Sequence, residues 1–325
     1  MATRLVATIA ALLLATPVIA DAQAVGRVPR IGFLAGSTPH PTARTNAFVT
    51  ALRDYGHVEG QNVAIEWRAS GGRTERLPDL VAELLRLRVD VIVAVDNPSI
   101  SAAQRATKTI PIVMVLATDP VDMGFVVSLP RPGGNITGIS QQLAEVQGKA
   151  LQLLKETIPT VSRVAILWNP AEPGRRPQAR AAEEAARGVG LSAQLVGAAN
   201  AAELDSVFTT MARERLDAVL VQPSQPNLLH RKRIGELAAK YRLPTMGWNL
   251  EMVEAGCLMS YGPNTLSLYR RAAYYVDRLL RGARPADLPV EQPTKFELMI
   301  NAKTARTIGL IIPPALVQRA DQIID

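Results

Sequence analysis

Cysteine is almost missing from this chain: Cys257 is the only one in 325 residues. A lone thiol excludes an intramolecular disulfide, a thiolate metal site and a redox cysteine pair. It also leaves no cysteine after the leader for a lipid anchor. Histidine is nearly as scarce. His40, His57 and His230 are far apart, with no carboxylates at ligand spacing around them, so no metal centre is expected. His57 and His230 read as solvent-facing. Aromatic residues make up only 4% of the chain, so the core has to be built from Ala, Val, Leu and Ile.

The signatures of nucleotide and nucleophile chemistry are missing too. There is no Gly-x-x-x-x-Gly-Lys-Ser/Thr loop, no Gly-x-Gly-x-x-Gly after a strand, and no Gly-x-Ser-x-Gly elbow. No cofactor is implied, and the case for an enzyme is weak. No apolar run reaches the roughly 20 residues that span a bilayer. Residues 1–24, MATRLVATIAALLLATPVIADAQA, hold one Arg, an apolar stretch from Leu5 to Ala15, and two small-x-small sites ending at Ala22 and Ala24. That pattern predicts a cleaved secretory signal peptide. The mature protein is then expected to be soluble and periplasmic, and not a lipoprotein. The net charge is +7, and the leader removes one Arg and one Asp. A basic balance can signal nucleic acid or an acidic membrane. Here Arg is scattered along helices, as at Arg73, Arg76, Arg86 and Arg88, and no nucleic-acid partner is expected.

What the chain does contain is short apolar runs that alternate with amphipathic segments. Val91–Val95 and Ile110–Leu116 are rich in Val and Ile and stop at polar residues, with helix formers over Ser101–Lys108 between them. Such runs read as strands buried on both faces, joined in a βαβ unit. Strands are also expected at Arg30–Leu34 and Val63–Trp67, and helices at Ala43–Tyr55 and Thr74–Leu87. A short helix over Asp122–Leu129 precedes the punctuation Pro130, Pro132, Gly133, Gly134 and Asn135. The alternation then restarts with strands at Val164–Trp168, Ala193–Val196, Ala218–Val221 and Thr245–Trp248, separated by helices, one of them Leu229–Tyr241. The tail adds strands at Leu258–Tyr261 and Phe296–Ile300, a helix at Leu266–Arg281 and a final helix at Ala315–Ile324. The expected fold class is therefore α/β, with two successive units. The boundaries place residues 25–136 and about 260–289 in a first lobe, and 137–259 and about 290–325 in a second.

In parallel sheets ligands bind outside the carboxyl ends of the strands. The polar residues there are the candidate ligand-binding set. In the first unit they are Ser37, Thr38, Asn97, Ser99, Thr118 and Asp119; in the second, Trp168, Asn169, Gln222, Ser224, Trp248 and Asn249. Ser99 lies at a helix start, where free N–H groups favour a carboxylate. Asp119 could pair with an ammonium group, and Trp168, Trp248 and Tyr261 could stack on an apolar part. Each residue also has a plainer role. Asn97 and Ser99 could be helix caps, Asp119 a turn residue before Pro120, and the tryptophans core. An acid–base pair of Asp96 and Asp119 is the enzymatic alternative; a sensory module for a membrane receptor is another.

Several segments resemble the ABC-transporter substrate-binding proteins, in particular the group of tryptophan- and tyrosine-type components. They are RIGFLAGS, IPIVMVLATDPVDMGFVVSLPRPGGNITGIS, the ILWNP strand end, the SYGPN turn and LPVEQPTKFELMINAKTARTIGLIIPPALVQRAD. The most specific are the DPV…G…SL.RPGGN.TG run and the VEQPTKFEL.IN.KTA…G tail. The resemblance implies a type I periplasmic-binding-protein fold, with two doubly wound parallel-sheet lobes, three hinge crossings and a small-molecule ligand closed between the lobes. It further implies delivery to an ABC permease in the inner membrane, powered by a separate ATPase, and a monomeric binding component. Members with known ligands tend to take amino acids, in some cases aromatic ones. This chain carries Gln222-Pro223-Ser224-Gln225-Pro226 where the family more often has an acidic or Asn-containing turn.

Overall fold

The computed structural model describes residues 27–36, 40–141, 143–171 and 175–325. The expected leader, Ser37 and Thr38 lie outside the described residues. In chain order the elements begin with β1 (Arg30–Ala35), α1 (Ala43–Asp54), β2 (Ala64–Ala69), α2 (Leu77–Arg86), β3 (Val91–Ala94), α3 (Asn97–Ala106), β4 (Ile112–Thr118) and β5 (Ile136–Gln141). They continue with α4 (Leu143–Thr157), β6 (Arg163–Trp168), α5 (Arg175–Gly188), β7 (Ser192–Gly197), α6 (Ala201–Arg213), β8 (Ala218–Val221), α7 (Gln225–Leu229), α8 (Arg231–Tyr241), β9 (Thr245–Gly247) and α9 (Leu250–Glu254). The tail holds β10 (Met259–Pro263), α10 (Thr265–Leu280), β11 (Phe296–Asn301), α11 (Ala302–Ile308), α12 (Pro314–Arg319) and β12 (Gln322–Ile324).

Two sheets result. The first has the order β2-β1-β3-β4-β5 and is parallel throughout. The second has the order β12-β11-β10-β9-β8-β6-β7, in which only the β10–β11 pair is antiparallel. Within it, β7-β6-β8-β9-β10 repeats the order of the first sheet, so the repeat of architecture read in the sequence is a repeat of topology. Alternation along each strand sends side chains to two cores. In β3, Val91 and Val93 face the core shared with α1 and α10, while Ile92 and Ala94 face α2 and α3. All four are at most 1% exposed. Burying each such Val or Ile stabilises the fold by about 1.5–3 kcal/mol. Both faces are covered by helices, as a parallel sheet requires. Gly138 shows how tightly the edge strand is fitted. It has φ 129°, and a Cβ there would stand 2.2 Å from the Met114 carbonyl oxygen, so only glycine serves.

The chain passes between the sheets near residue 142, at Asn264 after β10, and between Glu291 and Phe296. Two of these crossings run side by side: Ser140 N donates to the Glu291 carbonyl at 2.8 Å, and Glu291 N to that of Gly138 at 3.0 Å. Helix α10 packs on the first sheet, where Tyr269, Ala272, Ala273 and Val276 join the core of Ile31 and Phe33. The boundaries expected near 136 and 260 therefore fall within β5 and β10.

Some local expectations change. Residues 122–129 form no helix. Met123 N and Phe125 N bond back to Asp119 O and Pro120 O at 2.9 and 2.8 Å, but Gly124 enters the left-handed region at φ 66° and ends the turn. The expected final helix stops at Arg319, and Gln322–Ile324 instead extends the second sheet beside β11. The segment 225–241 is two helices that meet at His230, and α9 was not foreseen. His57 is not solvent-facing: its Nε2 lies 2.8 Å from Oδ1 of buried Asp277, pinning the end of α1 to α10.

Candidate ligand-binding cleft

The strand ends of the two sheets face one another across a cleft that is partly open to solvent. The first sheet contributes Leu116 and Thr118 from β4, Asp96 after β3 and Gln141 from β5; α1 adds Arg44. The second contributes Ser224 and Gln225 after β8, Trp248 and Asn249 after β9, and Val146 and Leu228 from its helices. Gly262, Pro263 and Thr265 line it at a crossing.

Each wall is held by its own capping chemistry. Asp96 caps α3: Oδ1 accepts from Ser99 N at 3.0 Å and Ser99 Oγ at 2.7 Å. Its Oδ2 accepts from Gly36 N at 3.0 Å, so both oxygens are engaged. Asn97 clamps the end of β4, donating to Thr118 O and Oγ1 at 2.9 and 2.8 Å and accepting from Thr118 N at 2.9 Å. On the other wall Ser224 and Asn249 are the N-caps of α7 and α9, accepting from Asn227 N and Met252 N at 3.1 Å each. Short helices need such caps because their first N–H groups have no intrahelical partner.

Among the described residues, several contacts join the lobes at the cleft. Gln178 Nε2 of α5 donates to Thr118 Oγ1 at 2.7 Å. Arg44 Nε of α1 donates to Glu251 Oε1 of α9 at 2.7 Å, and Arg44 Nη2 lies 2.6 Å from the same oxygen. Gln225 closes over Gly36, where an added Cβ would meet Gln225 Cγ at 3.0 Å and Asp96 Oδ2 at 2.6 Å. Behind Arg44 sits Tyr269, whose phenol is pushed up to about 12. Burial is the main cause; the Arg44 charge opposes it and the Asp96 charge adds to it.

Of the candidate set, Thr118, Ser224, Trp248 and Asn249 come together on the cleft surface. Asn97, Ser99 and Gln222 are buried close to that surface. Asp119 does not line it; it adopts φ 49°, which Asp tolerates better than most residues, and opens the turn that follows β4. Trp168 packs against the core of α4 and α5. Asn169 is taken by the loop after β6, accepting from Ala171 N at 2.8 Å and donating to Ala199 O at 3.3 Å. The Tyr261 ring lies against Phe296, with centroids 5.9 Å apart.

Sequence reasoning passed over Arg44, Gln147, Gln178 and Gln225. The signals were there. Arg44 stands in the first turn of a helix with no acidic residue there, against the preference of the helix dipole. Gln147 and Gln178 interrupt helix faces that are otherwise Ala, Val and Leu, and both are over nine-tenths buried. Gln147 Nε2 donates to Gln222 Oε1 at 2.7 Å. That leaves Gln147 Oε1, Gln222 Nε2 and, nearby, Gln225 Oε1 without a partner among the described residues. Turning both amides of the Gln147–Gln222 pair still leaves one donor and one acceptor open.

Comparison with known proteins agrees with this geometry. The chain is 26% identical over 263 residues to a tyrosine-binding protein of Clostridioides difficile (strain R20291), covering 81% of this chain and 75% of that one. It superposes on the crystal structure of an ABC domain in complex with L-Trp from Streptococcus pneumonia with a TM-score of 0.83 at 24% identity, covering 92% of this chain and all of the other. A conserved domain protein from Vibrio cholerae gives 0.85 at 25% identity, over 91% of this chain and all of the other. These two-lobed relatives share the type I periplasmic-binding fold. The acid–base reading of Asp96 and Asp119 is set aside, since the relatives are binding proteins and both Asp96 oxygens are already engaged, one as the α3 cap and the other by Gly36 N. The family model for ABC transporter substrate binding proteins matches residues 37–324, and the chain belongs to that family.

Proposed function

We propose that this chain captures a small zwitterionic or neutral amphipathic molecule, in the first instance an amino acid with an apolar or aromatic side chain. It then hands the molecule to the permease of an ABC importer in the inner membrane. The observation that carries the ligand class is the pairing of charge in the cleft. Arg44 is bound to Glu251 and Asp96 to its own helix, so neither is a free ionic anchor. Arg44 Nη2 keeps no hydrogen-bond partner among the described residues, and the rest of the polar lining is neutral hydroxyl and amide, with Trp248, Leu116, Val146 and Leu228 as the apolar part. A zwitterion supplies both a donor and an acceptor, which suits the open amide edges; a net-charged ligand would bury its charge uncompensated. The tyrosine and tryptophan named for the relatives support this reading.

Capture is by closure. We place the first lobe at residues 27–141 and 265–292 and the second at 143–263 and 296–325, following sheet and helix packing. A ligand stabilises the closed form only by touching both lobes. The leader implies export to the periplasm; among the described residues no helix is long and apolar enough to cross a membrane. The binding component acts as a monomer. A thermal-shift series tests the ligand class, using L-tryptophan, L-tyrosine, L-phenylalanine and L-leucine against L-glutamate and L-lysine. At a hundredfold excess over Kd a true ligand adds about 2.7 kcal/mol, a rise of several degrees in Tm. A rise confined to L-glutamate or L-lysine, or none with any of the six, overturns the assignment.

A further inference from the structure

A second cavity lies behind the wall of the cleft. It holds about 360 Å³ and is partly open to solvent. Trp248, Asn249, Gly262, Pro263 and Thr265 line both spaces, so the two adjoin along these residues. The rear cavity is framed by α9, by β10 and β11, and by Asp321 and Gln322 at the chain's end.

Its chemistry is one-sided. Glu251, Glu254, Glu297 and Asp321 line it, and no Lys, Arg or His does. Among the described residues, only Glu251 of these has a cationic partner, Arg44. Glu297 Oε1 accepts from Asn264 Nδ2 at 2.8 Å and Asp321 Oδ2 from Leu298 N at 2.8 Å, both neutral donors. This happens in a chain of net charge +7. A separate feature points to an occupant. Ser260 on β10 lines the same cavity, is 1% exposed, and its Oγ has no hydrogen-bond partner among the described residues. A buried hydroxyl without a partner is destabilising, and the carboxylates lining the same cavity favour a cation.

From these observations we infer that the rear cavity is a second binding site, for a small organic amine carrying one or two ammonium groups. Such a group donates to Glu297, Glu254 and Ser260 Oγ, while its carbon chain lies on Leu250, Leu266 and Met299. A bare metal ion does not fit the arrangement. The carboxylates are spread round a large and partly apolar space, and among the described residues no three His, Cys, Asp or Glu converge as metal ligands. The site is distinct from the cleft, and it stands whether or not the cleft takes amino acids.

The test is a calorimetric titration of the intact mature protein with 1,4-diaminobutane, with 1,4-butanediol as the neutral isostere. The diamine is expected to bind, more weakly as salt rises, and the diol not to bind. The double variant Glu254→Gln/Glu297→Gln should weaken the diamine at least tenfold. Glu254→Gln alone, at an exposed position that cannot disturb packing, should weaken it severalfold and guards against a misfolded double variant. The inference is overturned by no diamine binding up to roughly 10 mM, a range where even weak complexes of about 4 kcal/mol are seen. It is equally overturned by equal binding of the diol, by unchanged affinity in both variants, or by displacement of the diamine by L-tryptophan from the cleft.

Discussion

The bond between Arg44 and Glu251 spans the two lobes, so on the proposed capture by closure it forms only in the closed form. Its side chains are 9% and 31% exposed, between the regimes of a buried and a surface ion pair. Breaking a buried pair costs about 3–5 kcal/mol and an exposed one about 0.2–1 kcal/mol. For this half-buried contact, replacing Arg44 by Met should cost about 2 kcal/mol of closed-state stability. Each 1.4 kcal/mol is tenfold, so the affinity of the cleft for its ligand should fall about thirtyfold. In the open form both groups are free to be hydrated, and the melting temperature without ligand should hardly move. Arg44→Met, Glu251→Met and the double variant complete a cycle. With both charges gone no lone ion is left at the interface, and the double loss should be well short of the sum of the single losses. Titration with the amino acid that gives the largest thermal shift reads the affinities. Small-angle scattering with and without it reads closure. Single variants that bind like wild type, or losses that simply add, would refute a latch across the cleft.

Two further outcomes follow from the cleft's supporting groups. Asp96→Ala strips an acceptor from Gly36 N, Ser99 N and Ser99 Oγ and should cost about 2 kcal/mol; Asp96→Asn keeps one oxygen and should cost less. Thermal melts followed by circular dichroism decide it, and equal melting of the two variants would sink the capping account. At alkaline pH, burial pushes both Tyr269 and Cys257 up to about 12. Their unfolded values are about 10 and 8.5. The unfolded chain therefore loses these protons first. Stability is complete below about pH 8.5 and declines as pH rises from there toward 12. Urea midpoints across that range should fall, and Cys257 should resist a thiol reagent until the chain unfolds. A flat midpoint, or a thiol that reacts in the native state, counts against deep burial of these groups.

Most of the fold was legible because its strands advertise themselves. A run such as VIVAV bounded by Asp90 and Asp96 can be buried on both faces in only a few ways. The errors fell where a single residue decides between near-equal options. Gly124 ends one turn before a helix can propagate past it. Pro313 and Pro314 start a helix whose periodicity runs past Arg319, but Gln322–Ile324 finds a strand partner in β11, which no local pattern reveals. His57 was misplaced for the same reason: its partner Asp277 is 220 residues away in sequence.

The candidate site was legible as a position but not as a chemistry. Strand ends pointed to the cleft, and they are also where helices start and need caps. Asp96, Ser224 and Asn249 satisfy α3, α7 and α9 with the same oxygens that a ligand might have claimed. Position alone therefore over-selects residues already engaged. The discriminating features are those that break a local rule: an arginine in the first turn of α1, and glutamines on the inner faces of α4 and α5. A rule broken locally has to be compensated elsewhere, and Arg44 and Gln178 find their compensation in the opposite lobe, at Glu251 and Thr118. Gln147 finds only half of it, in Gln222, and the pair is left with one donor and one acceptor open. The Arg44 charge is thus paired across the cleft, and the edges left open are those of the glutamine amides and Arg44 Nη2. On the function proposed above, a cleft so divided selects by hydrogen-bond pattern and apolar fit rather than by the ligand's net charge.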